Sequence, residues 1–221
     1  MPIRGPNPTP IDREWAMATN IALKRARKAQ RRKQVVTQKR RAEVLETSLP
    51  ARMLRAAHAP IQHCFLTEAV FDLGMGTLVL ARGATPHHLA LSSFLIDVFC
   101  LGIKDVMFES VDSEVFAMYV NATDAGSPLV SIDPSDARKL LCDLAAWSQS
   151  IGFAPHRDFA AVQRIFGDVS VDASDAVFRF GRDGKPVFIP GPNDTASLIR
   201  RRIAQLQKCL GDDGFGFETA A

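Results

Sequence analysis

Residues 63–99, HCFLTEAVFDLGMGTLVLARGATPHHLALSSFLIDVF, decide the fold. They hold three apolar runs rich in Val, Leu, Phe and Thr, at His63–Phe71, Thr77–Ala81 and Leu89–Phe99. Runs of this length bounded by turn residues read as strands. Asp72-Leu73-Gly74-Met75-Gly76 separates the first two as a turn, and Pro86 precedes the third. After Gly102, Lys104–Val111 adds a fourth candidate strand. Successive strands joined by short connections predict an antiparallel meander.

Downstream the period changes from strand to helix. Ser113–Asn121 is expected to be a short helix capped by Asp112 or Ser113. Pro134–Ile151 is the clearest helix: Asp133 stands at the cap position and Pro134 at the first helical position. Leu140, Leu141, Leu144, Trp147, Ser148 and Ile151 form its inner face, and Gly152 ends it. Asp158–Phe166 reads as a further short helix closed by Gly167. Ala176–Phe180 and Pro186–Ile189 read as a hairpin about Arg182-Asp183-Gly184. Asn193–Leu210 is the last helix, capped by Asp194 or Thr195 and stopped by Gly211. The fold class is therefore α+β, a small, mostly antiparallel sheet packed by two or three helices.

Upstream of the sheet the composition is different. Residues 1–48 hold twelve of the 27 Lys and Arg but four of the 24 Asp and Glu, so this segment carries +8 and the rest of the chain −5. Ten cations fall between Lys24 and Arg41: Lys24, Arg25, Arg27, Lys28, Arg31, Arg32, Lys33, Lys39, Arg40 and Arg41. Thr9-Pro10-Ile11-Asp12 is a helix start, and no Pro or Gly interrupts Ile11–Leu49. A long basic helical arm is expected, and its charges point all round the cylinder. A helix polar on every side is not held by a core, so the arm is expected to be conditional structure. Pro50 breaks the pattern, with Ala51–Ala57 as a short helix after it. The expected organisation is an arm at 1–48, a globular domain at 49–211 and a loose tail at 212–221.

Such a field attracts phosphate chains by counterion release, giving salt-dependent and mostly sequence-blind affinity. RNA, ribosomal RNA included, and DNA fit that description. The basic run lacks the Leu/Phe/Trp face of an interfacial helix, and no stretch reaches the ~18 apolar residues of a membrane span, so no membrane partner is expected. No aromatic interleaves the run to stack on bases, which favours phosphate contacts over base reading. The first ten residues have no apolar h-region, and the basic cluster starts late for a targeting peptide, so a cytoplasmic location is expected. Cys64, Cys100, Cys142 and Cys209 stand far apart without a C-x-x-C pair and read as small hydrophobes in a reducing compartment. No metal or cofactor is expected.

Four further features could carry chemistry. Asp97 lies within FLIDVFCLGIKDV, where an ionised carboxylate needs a partner, and Lys104 and Asp105 are near in sequence. His156 and Asp158 stand at a helix entry, where Asp158 is a natural cap and His156 a conceivable base or phosphate contact. The Gly- and Pro-dense segment Phe180–Asp194 could cradle an anion, although turn chemistry already explains it. His87-His88 reads as a loop. No nucleotide-binding, serine-hydrolase or zinc-protease motif occurs.

At FLIDVFCLGIKDVMF (94–108), IGFAPHRDF (151–159) and FGRDGKPVFIPGPND (180–194) the chain resembles a family of bacterial proteins with no assigned activity. The resemblance covers about Phe65–Leu210. It implies a bacterial origin and a single compact domain behind a variable basic arm, and it transfers no catalytic residue. It also implies that the three segments converge in space near Asp97, Lys104, His156 and the Gly-Pro loop. The leading expectation is an RNA-associated accessory protein. The alternatives are a phosphate-ester enzyme, such as a nuclease, that uses His156 with Asp97, Lys104 or Asp158, and a protein–protein scaffold.

Overall fold

The computed structural model describes residues 31–33, 36–39, 48–85 and 87–218, and the chain divides into two units at Ser48/Leu49. In the first unit, Arg31–Lys33 and Val36–Lys39 are helical and exposed. The rest of the expected arm helix, with Lys24, Arg25, Arg27, Lys28, Arg40 and Arg41, lies outside the described residues.

The second unit opens with helix α1, Leu49–Ala56. Pro50 sits in its first turn, where a missing N–H costs nothing, and so it starts the helix rather than breaking the chain. Four strands follow: β1 (Ile61–Thr67), β2 (Met75–Thr85), β3 (His88–Asp97) and β4 (Gly102–Val111). They form the expected antiparallel meander, and β5 (Leu129–Ser131) adds outside β1, giving the order β4-β3-β2-β1-β5. The first strand ends at Thr67, before its apolar run does. Thr67 Oγ1 accepts the Thr77 N–H at 2.9 Å, and Val70–Leu73 winds into a single helical turn, α2, closed by left-handed Gly74.

Helices cover both faces of the sheet. Leu66, Leu78, Leu80, Phe94 and Ile96 face α4 (Pro134–Ser150), whose Leu140, Leu141 and Leu144 complete the main core. Val79, Ala81, Leu89, Leu91 and Val111 face Phe116 of α3 (Ser113–Gly126) on the other side. That coverage explains why β3 reads as an almost unbroken apolar run, since a strand buried on both faces has no solvent side to keep polar. Asp112 caps α3 through the Val115 N–H, and Asp133 caps α4 through the Ser135 N–H. Phe159–Val162 forms α5, which tightens into a 3-10 turn at Gln163–Phe166 before Gly167.

The C-terminal third departs from the expected hairpin. Arg182 and Lys185 exchange backbone hydrogen bonds of 2.9 and 3.0 Å around Asp183 and Gly184, both at positive φ, so the turn forms. Ala176–Phe180 then makes no strand. Its alternating residues pack instead, Phe178 stacking on Phe71 and Phe180 meeting Trp147. Val187–Phe188 (β6) pairs in parallel with Gly216–Phe217 (β7), beyond the last helix α6 (Ala196–Leu210). The segment expected to be loose after Gly211 therefore includes a short strand. Phe188 is fully buried beside Leu206, with Phe215 packed against the same cluster and the Phe217 ring 6.0 Å away.

Gly102, at φ +71°, opens β4 directly against α4, and a Cβ there would lie 2.5 Å from Ser148 Cβ. Gly102→Ala should destabilise the domain by about 2–4 kcal/mol, combining overpacking with left-handed backbone strain. Denaturant unfolding measures this. A change below about 0.5 kcal/mol, the range of a neutral surface substitution, would contradict so close an approach of sheet and helix.

Candidate functional site

The three motif segments converge, and they do so through the backbone. Gly181 N–H donates to Val98 O at 2.8 Å, Val187 N–H to Phe99 O at 3.0 Å, and His156 N–H to Ile103 O at 2.9 Å. Their side chains are divided among different partners. Asp97 Oδ1 accepts the N–H groups of Phe99 and Cys100 at 3.0 and 2.9 Å, closing the β3–β4 connection. Burial pushes its pKa up, opposed by those N–H groups and by Lys104. Lys104 is the extra residue of a β-bulge, because Leu95 pairs with Asp105 and Ile96 with Ile103. Its ammonium lies 3.8 Å from Met75 Sδ.

His156 meets Asp105 instead, with Nε2 at 3.6 Å from Oδ1, while its Nδ1 accepts the Asp158 N–H at 3.3 Å. Asp158 does not cap α5. Its φ and ψ of −88° and −2° are helical rather than extended, so its carboxylate makes no capping bond and sits 3.6 Å from Arg157. Among the described residues no hydrogen bond or ion pair joins His156 to Asp97 or Lys104. Charged groups of the Gly-Pro loop likewise have partners of their own. Asp194 Oδ2 accepts both the Gly191 N–H at 2.9 Å and Arg202 Nη1 at 2.6 Å, while Arg182 pairs with Glu218.

Cys64 and Cys100 are buried, and desolvation pushes both thiols up to about 12, far from a nucleophilic thiolate. Cys142 is half-buried and Cys209 exposed. Among the described residues no set of three His, Cys, Asp or Glu could hold a metal ion, and no helix is long and apolar enough to cross a membrane.

The site that the sequence pattern did not reveal is cationic. A cleft of about 720 Å³ beside the C-terminal end of α1 is lined by Arg82, Arg138 and Arg164, with His58, Asp168 and Gly167. Arg82 projects from β2 and is buried, 5% exposed. Its Nη1 donates to Ala57 O and Ala59 O at 2.9 and 2.6 Å, and its Nη2 to Phe166 O at 2.6 Å. Ala57 and Ala59 follow the end of α1, and Phe166 closes the 3-10 turn, where its carbonyl also accepts the Val169 N–H at 3.1 Å. The buried Nε–H of Arg82 has no acceptor among the described residues. Burial works against the charge and Asp168 partly restores it, although a guanidinium stays protonated in either case. Arg138 reaches the same turn through Gly167 O at 3.1 Å and Val169 O.

A second cleft, of about 400 Å³, lies across Arg82 and is bordered by Arg52, Arg55 and His88, with Arg52 stacked 4.8 Å over the Phe108 ring. Helix α1 is thus flanked by arginines in a unit whose total charge is negative. A sequence signal existed: Arg82 interrupts the apolar run TLVLARGA just as Asp97 interrupts FLIDVF. No family profile, curated protein or solved structure matches the chain.

Two measurements check this description. Asp97→Asn keeps the acceptor and removes the buried charge, whereas Asp97→Ala leaves two buried N–H groups unpaired and should cost about 1–3 kcal/mol. A carboxyl whose folded pKa is raised favours the folded state below its unfolded value of about 4, and that contribution is lost as pH rises through the folded value. The Asn variant should therefore lose less stability than wild type between about pH 4 and neutrality in thermal unfolding. Equal pH dependence would contradict the buried ionisation. With a thiol reagent at neutral pH, Cys209 should react in the native protein and Cys64 and Cys100 only after unfolding, which peptide mapping would reveal.

Proposed function

We propose that this protein is an RNA-associated accessory protein that binds phosphate backbone through its basic N-terminal segment. The observation that carries the reading is the separation of charge, +8 over residues 1–48 against −5 over the remainder. Arg31, Arg32, Lys33 and Lys39 are exposed on helical backbone, as phosphate-contacting cations need to be. The first helix after the basic segment is itself bordered by Arg52, Arg55, Arg82, Arg138 and Arg164, which gives the second unit a local basic face despite its negative total. A partner carrying many phosphates suits both features. RNA is favoured over a membrane because the basic run has no apolar face to insert.

Filter binding of a structured RNA by the full chain, across a salt series, tests the reading. Replacing Lys24, Arg25, Arg27, Lys28, Arg31, Arg32 and Lys33 with Gln should weaken binding at least tenfold at low salt. It should also flatten the salt slope by roughly 0.7–0.9 for each phosphate that is no longer neutralised. Unchanged affinity and slope would overturn the proposal.

A further inference from the structure

The cleft at Arg82 has a composition that phosphate backbone alone does not explain. Three guanidiniums line it against the single carboxylate of Asp168, and none of the three forms an ion pair within 4.0 Å among the described residues. Five N–H groups per guanidinium make fifteen donors in all. Among the described residues five are used, three by Arg82 and two by Arg138, every one on a backbone carbonyl. Those carbonyls account for where Arg82 and Arg138 are held, and they supply no counter-charge. Asp168 offsets the buried Arg82 charge only in part, and two more cations placed beside it raise the cost of burying it. Arg164 is exposed on the 3-10 turn, and among the described residues no side-chain hydrogen bond or ion pair accounts for its position.

We propose that this cleft is a binding site for a phosphate monoester group. The cleft's net charge of two, from three arginines and Asp168, is matched by a phosphomonoester, which carries about −1.5 to −2 near neutrality. A carboxylate or an internal phosphodiester supplies only one negative charge. Planar guanidinium forks suit the three terminal oxygens, and the unused donors of Arg138 and Arg164 are available for two-point contacts. The volume of about 720 Å³ lies within the range of small-ligand sites, so the phosphate has room to carry an organic body. That body rests against Leu54, Ala57 and Pro60, with His58 the one ring in the lining, so recognition falls mainly on the phosphate. The group could be presented on a free nucleotide or at the 5′ end of an RNA strand. The site needs no contribution from residues 1–48 and does not rest on the backbone-binding reading above.

The test uses the full chain in phosphate-free buffer at constant ionic strength. Calorimetric titrations compare a nucleoside 5′-monophosphate, its nucleoside, and one oligoribonucleotide with a 5′-phosphate or a 5′-hydroxyl. Arg164→Gln removes a cation that holds no part of the fold together, and its thermal unfolding should match wild type. The monophosphate should bind and the nucleoside should not, and Arg164→Gln should weaken the monophosphate about tenfold, the value of one charge-assisted hydrogen bond. If strand ends are the source, the 5′-phosphorylated oligomer binds about tenfold tighter than its 5′-hydroxyl form, and Arg164→Gln abolishes that difference. Monophosphate binding with neither oligomer bound supports the cleft and removes the RNA reading. Equal binding of both oligomers with no monophosphate binding overturns the cleft and leaves the RNA reading standing. Monophosphate affinity unchanged in Arg164→Gln, and likewise in Arg138→Gln, also overturns it.

Discussion

The guanidinium of Arg82 ties together parts of the domain that lie far apart in sequence. One planar group on β2 donates to the trailing carbonyls of α1 and of the turn after α5, so a strand, the entering helix and a late turn share a single joint. Arg82 supplies donors to Ala57 O and Ala59 O just past the end of α1 and another donor to Phe166 O, which also accepts the Val169 N–H at 3.1 Å. A buried carbonyl left unpaired costs about as much as a missing hydrogen bond. A planar, permanently charged group with five donors serves several acceptors in fixed directions, which a lysine or a neutral side chain could not do. The same choice places a buried charge beside the cleft that forms no ion pair among the described residues and is only partly offset by Asp168, which is the basis of the proposed anion site.

Asp97 plays a comparable part at the opposite sign. Its carboxylate gathers the N–H groups of Phe99 and Cys100, shaping the turn that sends β3 into β4. That turn in turn receives Gly181 and Val187 through its own carbonyls, fixing the C-terminal third against the sheet. The convergence of the three motif segments is thus explained by backbone joinery around one connection. A catalytic reading is not needed to account for it, since Asp97, Lys104 and His156 each spend their contacts elsewhere.

Much of the second unit was legible in its sequence. Strands β1 to β4 stood out because each buries apolar residues between turn signals, and α4 because Asp133-Pro134 and Gly152 mark its ends. Where local pattern misled, long-range packing overruled it. Ala176–Phe180 alternates like a strand, yet Phe178 and Phe180 satisfy that alternation against Phe71 and Trp147 without a ladder. Residues 216–217 lack a strand signal of their own and pair with β6 through backbone hydrogen bonds, with Phe215 packed against the Phe188 and Leu206 cluster and the Phe217 ring 6.0 Å from that of Phe188. Asp158 has the right identity for a cap but the wrong backbone angles.

Local chemistry, carried in the order of residues, determined the antiparallel meander, the capped helices and the separation of a basic segment from an acidic remainder. Periodicity, capping and charge are properties of neighbours along the chain. Only the tertiary structure decided that Arg82, Arg138 and Arg164 share one cleft, that His156 meets Asp105, and that the chain beyond Gly211 returns to β6. Those pairings join residues distant in sequence, and they are set by which surfaces the packed sheet and helices leave facing one another.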